Sequence, residues 1–263
     1  MKLTVLVENS TYIDQYYLAE PALSFYLEAD GKKFLFDTGY SDVYIQNAKK
    51  MGIPLSAIDM LLFSHGHHDH TGGLKYLPQT QKKIPLVAHP GIFVQREVNG
   101  VNVGNPVSLM DCMQKFELCL DRAPIQLTEH LFYLGEIPSV CDFEPRRAFG
   151  ETPSGPDYML DDTALAYRTK EGLFIITGCS HSGICNIVEQ AKRVCGTDRI
   201  AGIIGGFHLF DVDERLEKTI AYLKEQQIKV LLPCHCVSFQ AKAAIHQEIP
   251  IGEVATGLVL EVE

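Results

Sequence analysis

The amino-acid sequence predicts an α/β fold, a four-layer αββα sandwich of two β-sheets with helices on both outer faces. Three observations predict it: short apolar strands alternate with helical segments, this alternation occurs in two similar halves, and polar loops with histidines follow the strands. The chain has 263 residues, 46% of them hydrophobic, which is enough for one large core. Because no change in composition marks a linker, we expect a single domain over residues 1–263.

The first half is predicted to begin with a strand at residues 3–7 and a β-hairpin. The hairpin consists of residues 22–28 and 33–36, because the Asp30-Gly31 pair between them favours a tight turn. The further elements expected in this half are a helix at 41–52, a buried strand at 58–63, a helical stretch from residue 74 and a strand at 84–88.

The second half repeats this organisation. The elements expected in it are a hairpin at 163–168 and 173–177, helices at 182–194 and 212–227, strands at 200–204 and 229–232, and a last helix and strand. Residues 90–157, between the halves, are rich in proline and glycine and show few clean periods. We interpret them as an irregular insertion with short strands at 117–120 and 131–134, since long irregular segments are often functional lids.

Composition and charge exclude several classes of protein. The formal net charge of −10 disfavours a dedicated nucleic-acid binder, because an acidic chain repels phosphate backbones. No apolar stretch approaches the ~20 residues that span a bilayer, so we do not expect a membrane protein. The N-terminus lacks the features of a signal peptide, and we expect a cytoplasmic protein whose eight cysteines are mostly reduced thiols.

The strongest chemical signal is the loop after the predicted strand at 58–63. It contains His65, His67, Asp69 and His70, four side chains within six residues that can bind a metal ion. Imidazole and carboxylate groups together suit zinc, iron or manganese. A surface histidine cluster without metal is the alternative. We interpret the fifth member of the cluster, His68, as exposed or as a residue that contacts the ligands without binding the metal.

The loop resembles a known family. Residues 65–70 match the HxHxDH motif of the metallo-β-lactamase superfamily, residues 71–73 continue the match, and the resemblance covers most of the chain. It implies the αββα fold. It also implies that Asp37, within an Asp-Thr-Gly sequence at a strand end, orients the metal loop by hydrogen bonding from behind the ligands.

Later motifs narrow the resemblance to a subgroup. Residues 178–184, 205–209 and 233–236 resemble proteins named 7,8-dihydropterin-6-methyl-4-(β-D-ribofuranosyl)aminobenzene 5′-phosphate synthases. This likeness implies a phosphorylated, pterin-related substrate. The implied ligands are His65, His67 and His181 for a first metal site, and Asp69, His70 and His235 for a second.

His208 and Cys179 also follow predicted strands. His208 could be a ligand, an acid/base group or a substrate contact, and we favour protonation of the leaving group. Many relatives carry a metal-bridging aspartate after a Thr-Gly pair, whereas this chain has Cys179 there. The bridge then comes from Cys179, from His181, from an acid such as Asp161 or Asp162, or from no protein group. We expect Cys179 to contact the ligands rather than to bind the metal itself.

A basic pair, Arg146-Arg147, lies in the predicted insertion of this acidic chain. Arginine suits recognition of phosphate or carboxylate, so we expect the pair to contact the substrate. A solvated loop is the alternative.

The favoured hypothesis is a metal-dependent hydrolase or transferase. One or two divalent ions, zinc with manganese or iron as alternatives, lower the pKa of a bound water, and the resulting hydroxide attacks a phosphate ester or acyl group. Asp69 and His208 are the candidate catalytic residues, and the expected substrate is a small anionic molecule. A mononuclear iron oxygenase of the same fold and a non-catalytic metal or ligand sensor are the alternatives. The sequence predicts no oligomeric state.

Overall fold

The computed structural model of the protein describes residues 1–78 and 82–263. The chain divides into two units, each with a β-sheet and helices of its own. The first unit comprises Met1–Arg122, Ala148–Asp161 and Ala255–Val262, and the second comprises Ala123–Arg147, Asp162–Val254 and Glu263.

Strands and helices are numbered in chain order over the described residues. The strands are β1 Lys2–Val7, β2 Ser24–Ala29, β3 Lys32–Phe36, β4 Met60–Leu62, β5 Ile84–Ala88, β6 Glu97–Val98, β7 Val101–Asn102, β8 Phe116–Leu120, β9 Ile125–Gln126, β10 Leu131–Tyr133, β11 Glu151–Thr152, β12 Gly155–Pro156, β13 Ala164–Arg168, β14 Leu173–Thr177, β15 Ile200–Gly206, β16 Val230–Cys234 and β17 Val259–Glu261. The α-helices are α1 Val43–Lys50, α2 His68–Thr71, α3 Leu109–Lys115, α4 Ile184–Cys195, α5 Glu214–Glu225 and α6 Phe239–Glu248.

The first unit contains a seven-stranded sheet in the order β17-β1-β2-β3-β4-β5-β8. The strands from β17 to β3 pair antiparallel, and those from β3 to β8 pair parallel. The predicted hairpin is confirmed, since Asp30 and Gly31 join β2 to β3 with left-handed φ values of 51° and 76°. Because parallel strands end at the same edge, the residues after β3 and β4 lie side by side.

The apolar core of the first unit lies between its sheet and the helices α1 and α3. Tyr44 and Ala48 of α1, together with Cys112 of α3, pack with buried leucines of the strands. α1 lies within the predicted helix at 41–52. The described helices are all too short or too polar to cross a membrane.

The helix of the histidine-rich loop begins earlier than predicted. The sequence favours a helical stretch from residue 74, whereas α2 begins at His68 and continues as a 3-10 turn over Gly72–Tyr76. His67 provides an extended residue before the helix, and its carbonyl oxygen accepts a hydrogen bond from the Thr71 hydroxyl at 2.9 Å. The metal motif therefore folds as one compact turn.

The interpretation of residues 90–157 as one irregular insertion is only partly right. Short strands near 117–120 and 131–134 are confirmed, but β8 extends the large sheet of the first unit, and β10 belongs to the sheet of the second. The remainder includes α3 and a small four-stranded sheet in the order β12-β11-β6-β7. Sequence periodicity misses this because β8 pairs with β5 and β10 pairs with β13, which are distant along the chain.

The second unit contains a six-stranded sheet in the order β16-β15-β14-β13-β10-β9. The predicted hairpin of β13 and β14 is confirmed, and β14, β15 and β16 pair parallel, with α4 and α5 as the connections between them. Apolar residues of α4, α5 and α6 form the core with the sheet. The loops after β14, β15 and β16 leave from the same edge and carry the histidines of this half.

Candidate metal centre

Asp37 follows β3 directly, and its side chain is completely buried. Its Oδ1 accepts a hydrogen bond from the Ser64 backbone N–H at 2.8 Å. Its Oδ2 accepts hydrogen bonds from the Ser64 hydroxyl and from His70 Nδ1, both at 2.7 Å. One carboxylate therefore connects the end of β3 to both ends of the histidine-rich loop.

These hydrogen bonds determine which imidazole nitrogens carry protons. A carboxylate only accepts, so His70 donates from Nδ1 and has its lone pair on Nε2. Ser64 gives its single proton to Asp37, so its oxygen accepts from His65 Nδ1 at 2.9 Å, and the lone pair of His65 is also on Nε2. Metal-binding histidines are typically held by such a bond at the other ring nitrogen.

His65 and His67 have the separation expected of two ligands on one ion. His65 Nε2 lies 3.1 Å from His67 Nδ1. Two nitrogens bound tetrahedrally to zinc, each at about 2.0–2.1 Å, lie roughly 3.3 Å apart. Burial lowers the pKa of His67 to about 3, so its ring stays neutral, as a metal ligand must. The residues present therefore fit a metal ion.

Asp69 and His70 form a second pair in the same loop. His70 Nε2 lies 3.6 Å from Asp69 Oδ2, and the Asp69 side chain is 25% exposed whereas that of His70 is fully buried. The Thr38 N–H donates to the His70 carbonyl oxygen at 2.7 Å. A Cβ on Gly73 would overlap the Thr38 carbonyl oxygen, so glycine allows this close approach.

In the second unit, His181, His208 and His235 follow β14, β15 and β16, and all three are half-buried. The rings of His181 and His208 have their centroids 4.3 Å apart. The Cys179 Sγ lies within 4.8 Å of a ring nitrogen of His235, so the thiol is within reach of an ion held by that histidine. Cys179, which the sequence predicts to contact the ligands, is thus also a candidate ligand.

The backbone at these strand ends is strained. Ser180, His208 and His235 have φ values of 59°, 50° and 56°, as does Asp37 in the first unit with 60°. The left-handed conformation costs a non-glycine residue about 1–2 kcal/mol. Such strain is concentrated at functional sites because the surrounding structure must enforce it.

Cys236 connects the three loops of the second unit. Its Sγ donates to the Cys179 carbonyl oxygen at 3.4 Å and accepts from the His208 backbone N–H at 3.3 Å. A Cβ on Gly206 would overlap the same sulfur atom. The thiol therefore fixes the loops after β14 and β15 relative to its neighbour, His235.

The two acids considered as a metal bridge have other partners. Asp161 Oδ1 pairs with Arg96 Nη2, and its Oδ2 accepts from the Gly66 N–H at 2.8 Å. Asp162 Oδ2 accepts from the backbone N–H and the hydroxyl of Ser182. These contacts engage both carboxylate oxygens of Asp161 but only Oδ2 of Asp162, and the source of a bridge between two metal ions stays open among the alternatives.

The basic pair is divided between two environments. Arg146 is half-buried and donates from Nη2 to the Ile137 carbonyl oxygen, and its contact with substrate stays a prediction. Arg147 is exposed. The role of Arg147 in binding substrate likewise stays a prediction.

Three further residues belong to the surroundings of the candidate ligands. Ser64 has a recognisable signal, because a small hydroxyl residue stands directly before the motif. Cys236 lies within the motif at residues 233–236 and directly follows the candidate ligand His235. Arg96 has no sequence signal, since no motif in the chain indicates that its side chain packs against Gly66.

A sequence model of the metallo-β-lactamase superfamily matches residues 18–192. The chain belongs to the metallo-β-lactamase superfamily. The predicted resemblance, carried by the histidine-rich loop, is confirmed.

Relatives within the metallo-β-lactamase superfamily extend the match to the whole chain. The protein is 34% identical to a 7,8-dihydropterin-6-methyl-4-(β-D-ribofuranosyl)-aminobenzene-5′-phosphate synthase of Methanocaldococcus jannaschii, over 94% of this chain and 91% of that protein. It is similar to the crystal structure of a metal-dependent hydrolase of the β-lactamase superfamily, with a TM-score of 0.83, 29% identity and coverage of 100% of this chain and 99% of that one. A diphosphatase from the PhnP family shares the fold, with a TM-score of 0.57, 18% identity and coverage of 100% and 98%. The predicted α/β fold of this superfamily is thereby confirmed.

Proposed function

We propose that this protein is a metal-dependent enzyme that catalyses hydrolysis or group transfer on a small, phosphorylated, pterin-related compound. The observation that carries the proposal is the buried Asp37 carboxylate, which holds His70 directly and His65 through Ser64. Membership of the metallo-β-lactamase superfamily and the 34% identical synthase support it.

We assign the metal ligands by the pattern of the superfamily. The ligands are His65, His67 and His181 for the first site, and Asp69, His70 and His235 for the second. Cys179 is within reach of the second site through its proximity to His235. Imidazole with thiolate suits zinc or iron better than manganese, and zinc is the ion we expect. A bound divalent ion lowers the pKa of water and stabilises negative charge on a substrate oxygen.

The protein groups orient the ligands and move protons. In hydrolysis of a phosphate ester, the water oxygen forms a bond to phosphorus and the bond from phosphorus to the leaving oxygen breaks. Asp69 is partly exposed and accepts the proton of the water. His208, half-buried beside His181, donates a proton to the leaving oxygen.

The substrate class is supported by the name of the relative and by aromatic side chains near the ligands. That name describes a product with a dihydropterin and a ribose 5′-phosphate. The partly exposed rings of Tyr40 and Phe149 lie 4.7 Å from the ring of His68 and 5.3 Å from that of His67. Rings in this position offer a planar substituent a stacking surface.

The proposal predicts different metal contents for two adjacent histidine variants. His67→Gln removes a proposed ligand, so we expect it to lose bound zinc and at least about 100-fold in turnover of phosphate esters. His68→Gln is the matched control, because His68 is only half-buried and is not a proposed ligand, and it should keep its zinc. Elemental analysis of protein purified without chelators or a histidine tag measures both.

Three outcomes would contradict the proposal. Equal zinc content in the two variants would show that His67 is not a ligand. A single iron ion per chain together with oxygen consumption would favour an oxygenase. Metal binding without turnover of phosphate esters, acyl compounds or phosphorylated pterins would favour a sensor.

A further inference from the structure

Arg96 is a buried cation beside the metal loop that the proposed reaction does not use. Its side chain is 3% exposed, its Nε donates to Asp157 Oδ2 at 2.7 Å, and its Nη2 pairs with Asp161 Oδ1. Nη2 also donates to the Gly91 carbonyl oxygen at 3.2 Å. Buried charges are tolerated only when they are closely paired, so these contacts define the position of the guanidinium tightly.

Asp161 extends this ion pair to Gly66. The second carboxylate oxygen of Asp161 accepts the Gly66 N–H at 2.8 Å, and Gly66 is the residue between His65 and His67. Arg96 also packs against Gly66, because a Cβ there would overlap Arg96 Nη1 and would lie 2.6 Å from the Ile92 carbonyl oxygen. Only glycine fits at position 66, where the loop packs against Arg96.

The backbone of Arg96 reaches the same loop by a second path. The Val103 N–H donates to the Arg96 carbonyl oxygen at 3.0 Å, and the His68 N–H donates to the Val103 carbonyl oxygen at 2.9 Å. The next residue, Gly104, forms an isolated antiparallel bridge with His67. Residues 65–68 are therefore connected to Arg96 through both its side chain and its main chain.

We propose that Arg96 and Asp161 form a positioning pair that holds Gly66, so that His65 and His67 keep the separation of two ligands on one ion. The inference rests on the proposed metal centre and adds two residues that hold its ligands in position without binding the metal. Without the pair, the incoming ion would itself have to order the loop, and the lost conformational entropy would weaken metal binding. Groups that hold metal ligands from behind typically change affinity by about 10–100-fold.

Two matched aspartates allow a sharp test. Asp161 and Asp157 are both buried, and both pair with Arg96, but only Asp161 bonds Gly66. The second oxygen of Asp157 accepts instead from the Met159 N–H at 2.9 Å. An asparagine at either position keeps the shape but turns one acceptor into a donor, so each variant loses one bond and one charge. Asp161→Asn also weakens the contact with Gly66 directly, whereas Asp157→Asn can reach the histidine-rich loop only through Arg96.

The measurement is the zinc dissociation constant, obtained by competition with a chromophoric chelator, beside the thermal midpoint of the metal-free protein. We expect Asp161→Asn to raise the zinc Kd about 10–100-fold and Asp157→Asn less than about threefold, with similar decreases in the thermal midpoint. Arg96→Lys keeps the charge but cannot bond both aspartates, so it should also raise the zinc Kd. This variant takes the place of Asp161→Asn in the test if Asp161→Asn does not fold. Amide hydrogen exchange at Gly66 should accelerate in Asp161→Asn and not in Asp157→Asn.

Equal increases in Kd for Asp161→Asn and Asp157→Asn would overturn the inference, because they would reflect a general loss of stability. Unchanged zinc affinity in Asp161→Asn and Arg96→Lys would overturn it as well. A wild-type protein that binds no zinc would instead contradict the proposed function, and with it the role given to this pair.

Discussion

Asp37 is the residue on which most of the candidate ligand geometry depends. Three hydrogen-bond donors converge on its carboxylate in full burial, and two of them belong to Ser64. The backbone of Asp37 is left-handed, a conformation that aspartate and asparagine tolerate better than most residues. An asparagine variant therefore tests the carboxylate without changing the backbone preference.

Asp37→Asn is expected to lower zinc affinity about 10–100-fold, because an amide cannot accept from all three donors. Asp30→Asn is the control, since Asp30 has a similar φ of 51° but lies exposed in the turn between β2 and β3. Isothermal titration with zinc measures both variants. Equal affinity in the two variants would mean that Asp37 does not orient the ligands.

The sequence predicts the candidate ligands better than it predicts the residues that hold them. His65 and His67 are found because ligand side chains are adjacent along the chain and have a recognisable spacing. Arg96 and Asp161 are not found as a pair, because 65 residues separate them and charge pairing over that distance leaves no pattern in a single sequence.

At the scale of elements, α4 has an unusual N-terminus. The residue before it is Gly183, which has no side chain to cap the helix. Glu144, from a distant loop, replaces that cap: its Oε2 accepts from the backbone N–H groups of Cys185 at 2.8 Å and Asn186 at 3.3 Å. Burial raises the pKa of Glu144 above its ordinary value of 4.5.

Two variants of Glu144 are expected to behave differently. Glu144→Ala leaves helix N–H groups without an acceptor and should lower the free energy of unfolding by about 1–3 kcal/mol. Glu144→Gln keeps an acceptor and removes the buried charge, so it should be much less harmful near neutral pH. Urea denaturation at several pH values measures both variants.

The pH dependence has a definite sign. Because the pKa of Glu144 is raised in the folded state, the folded protein keeps a proton that the unfolded chain loses above about pH 4.5. Wild-type stability relative to Glu144→Gln should therefore fall as the pH rises above that value, until the folded pKa is passed. A stability difference that does not change with pH would contradict this account.

The hairpins and the buried parallel strands could be predicted because their signals are local. Asp30-Gly31 marks a turn, and continuous apolar residues mark β4 and β14. The start of α2 could not be predicted, because its first turn lies within a motif that otherwise indicates a loop. The His67 carbonyl oxygen accepts there from both the backbone N–H and the hydroxyl of Thr71.

At the scale of the whole molecule, the superfamily could be predicted from a few motifs, whereas the sheet partners could not. β8 pairs with β5 and β10 with β13, and these pairings depend on contacts between segments far apart along the chain. The structure divides the chain into two units, and the expectation that they form a single domain stays a prediction.

Zinc is expected to stabilise the whole protein. At a concentration one hundredfold above the Kd, binding contributes about 2.7 kcal/mol. For a chain of this length, that corresponds to an increase of roughly 5 °C in the unfolding midpoint. Because we assign ligands to both units, amide protection should rise near β4 and near β14 alike. A rise confined to the first unit, measured by hydrogen exchange, would contradict the assignment of His181 and His235.

The left-handed residues at the strand ends have a consequence for engineering. At His208 and His235, glycine would relax the backbone by about 1 kcal/mol at each position. At Asp37 and Ser180 the same change would also remove buried side-chain hydrogen bonds, which offset that gain. Selection for heat resistance alone would therefore favour glycine at the two histidines first. His208 is the proposed proton donor and His235 a proposed metal ligand, so stability and activity are in opposition at these two positions.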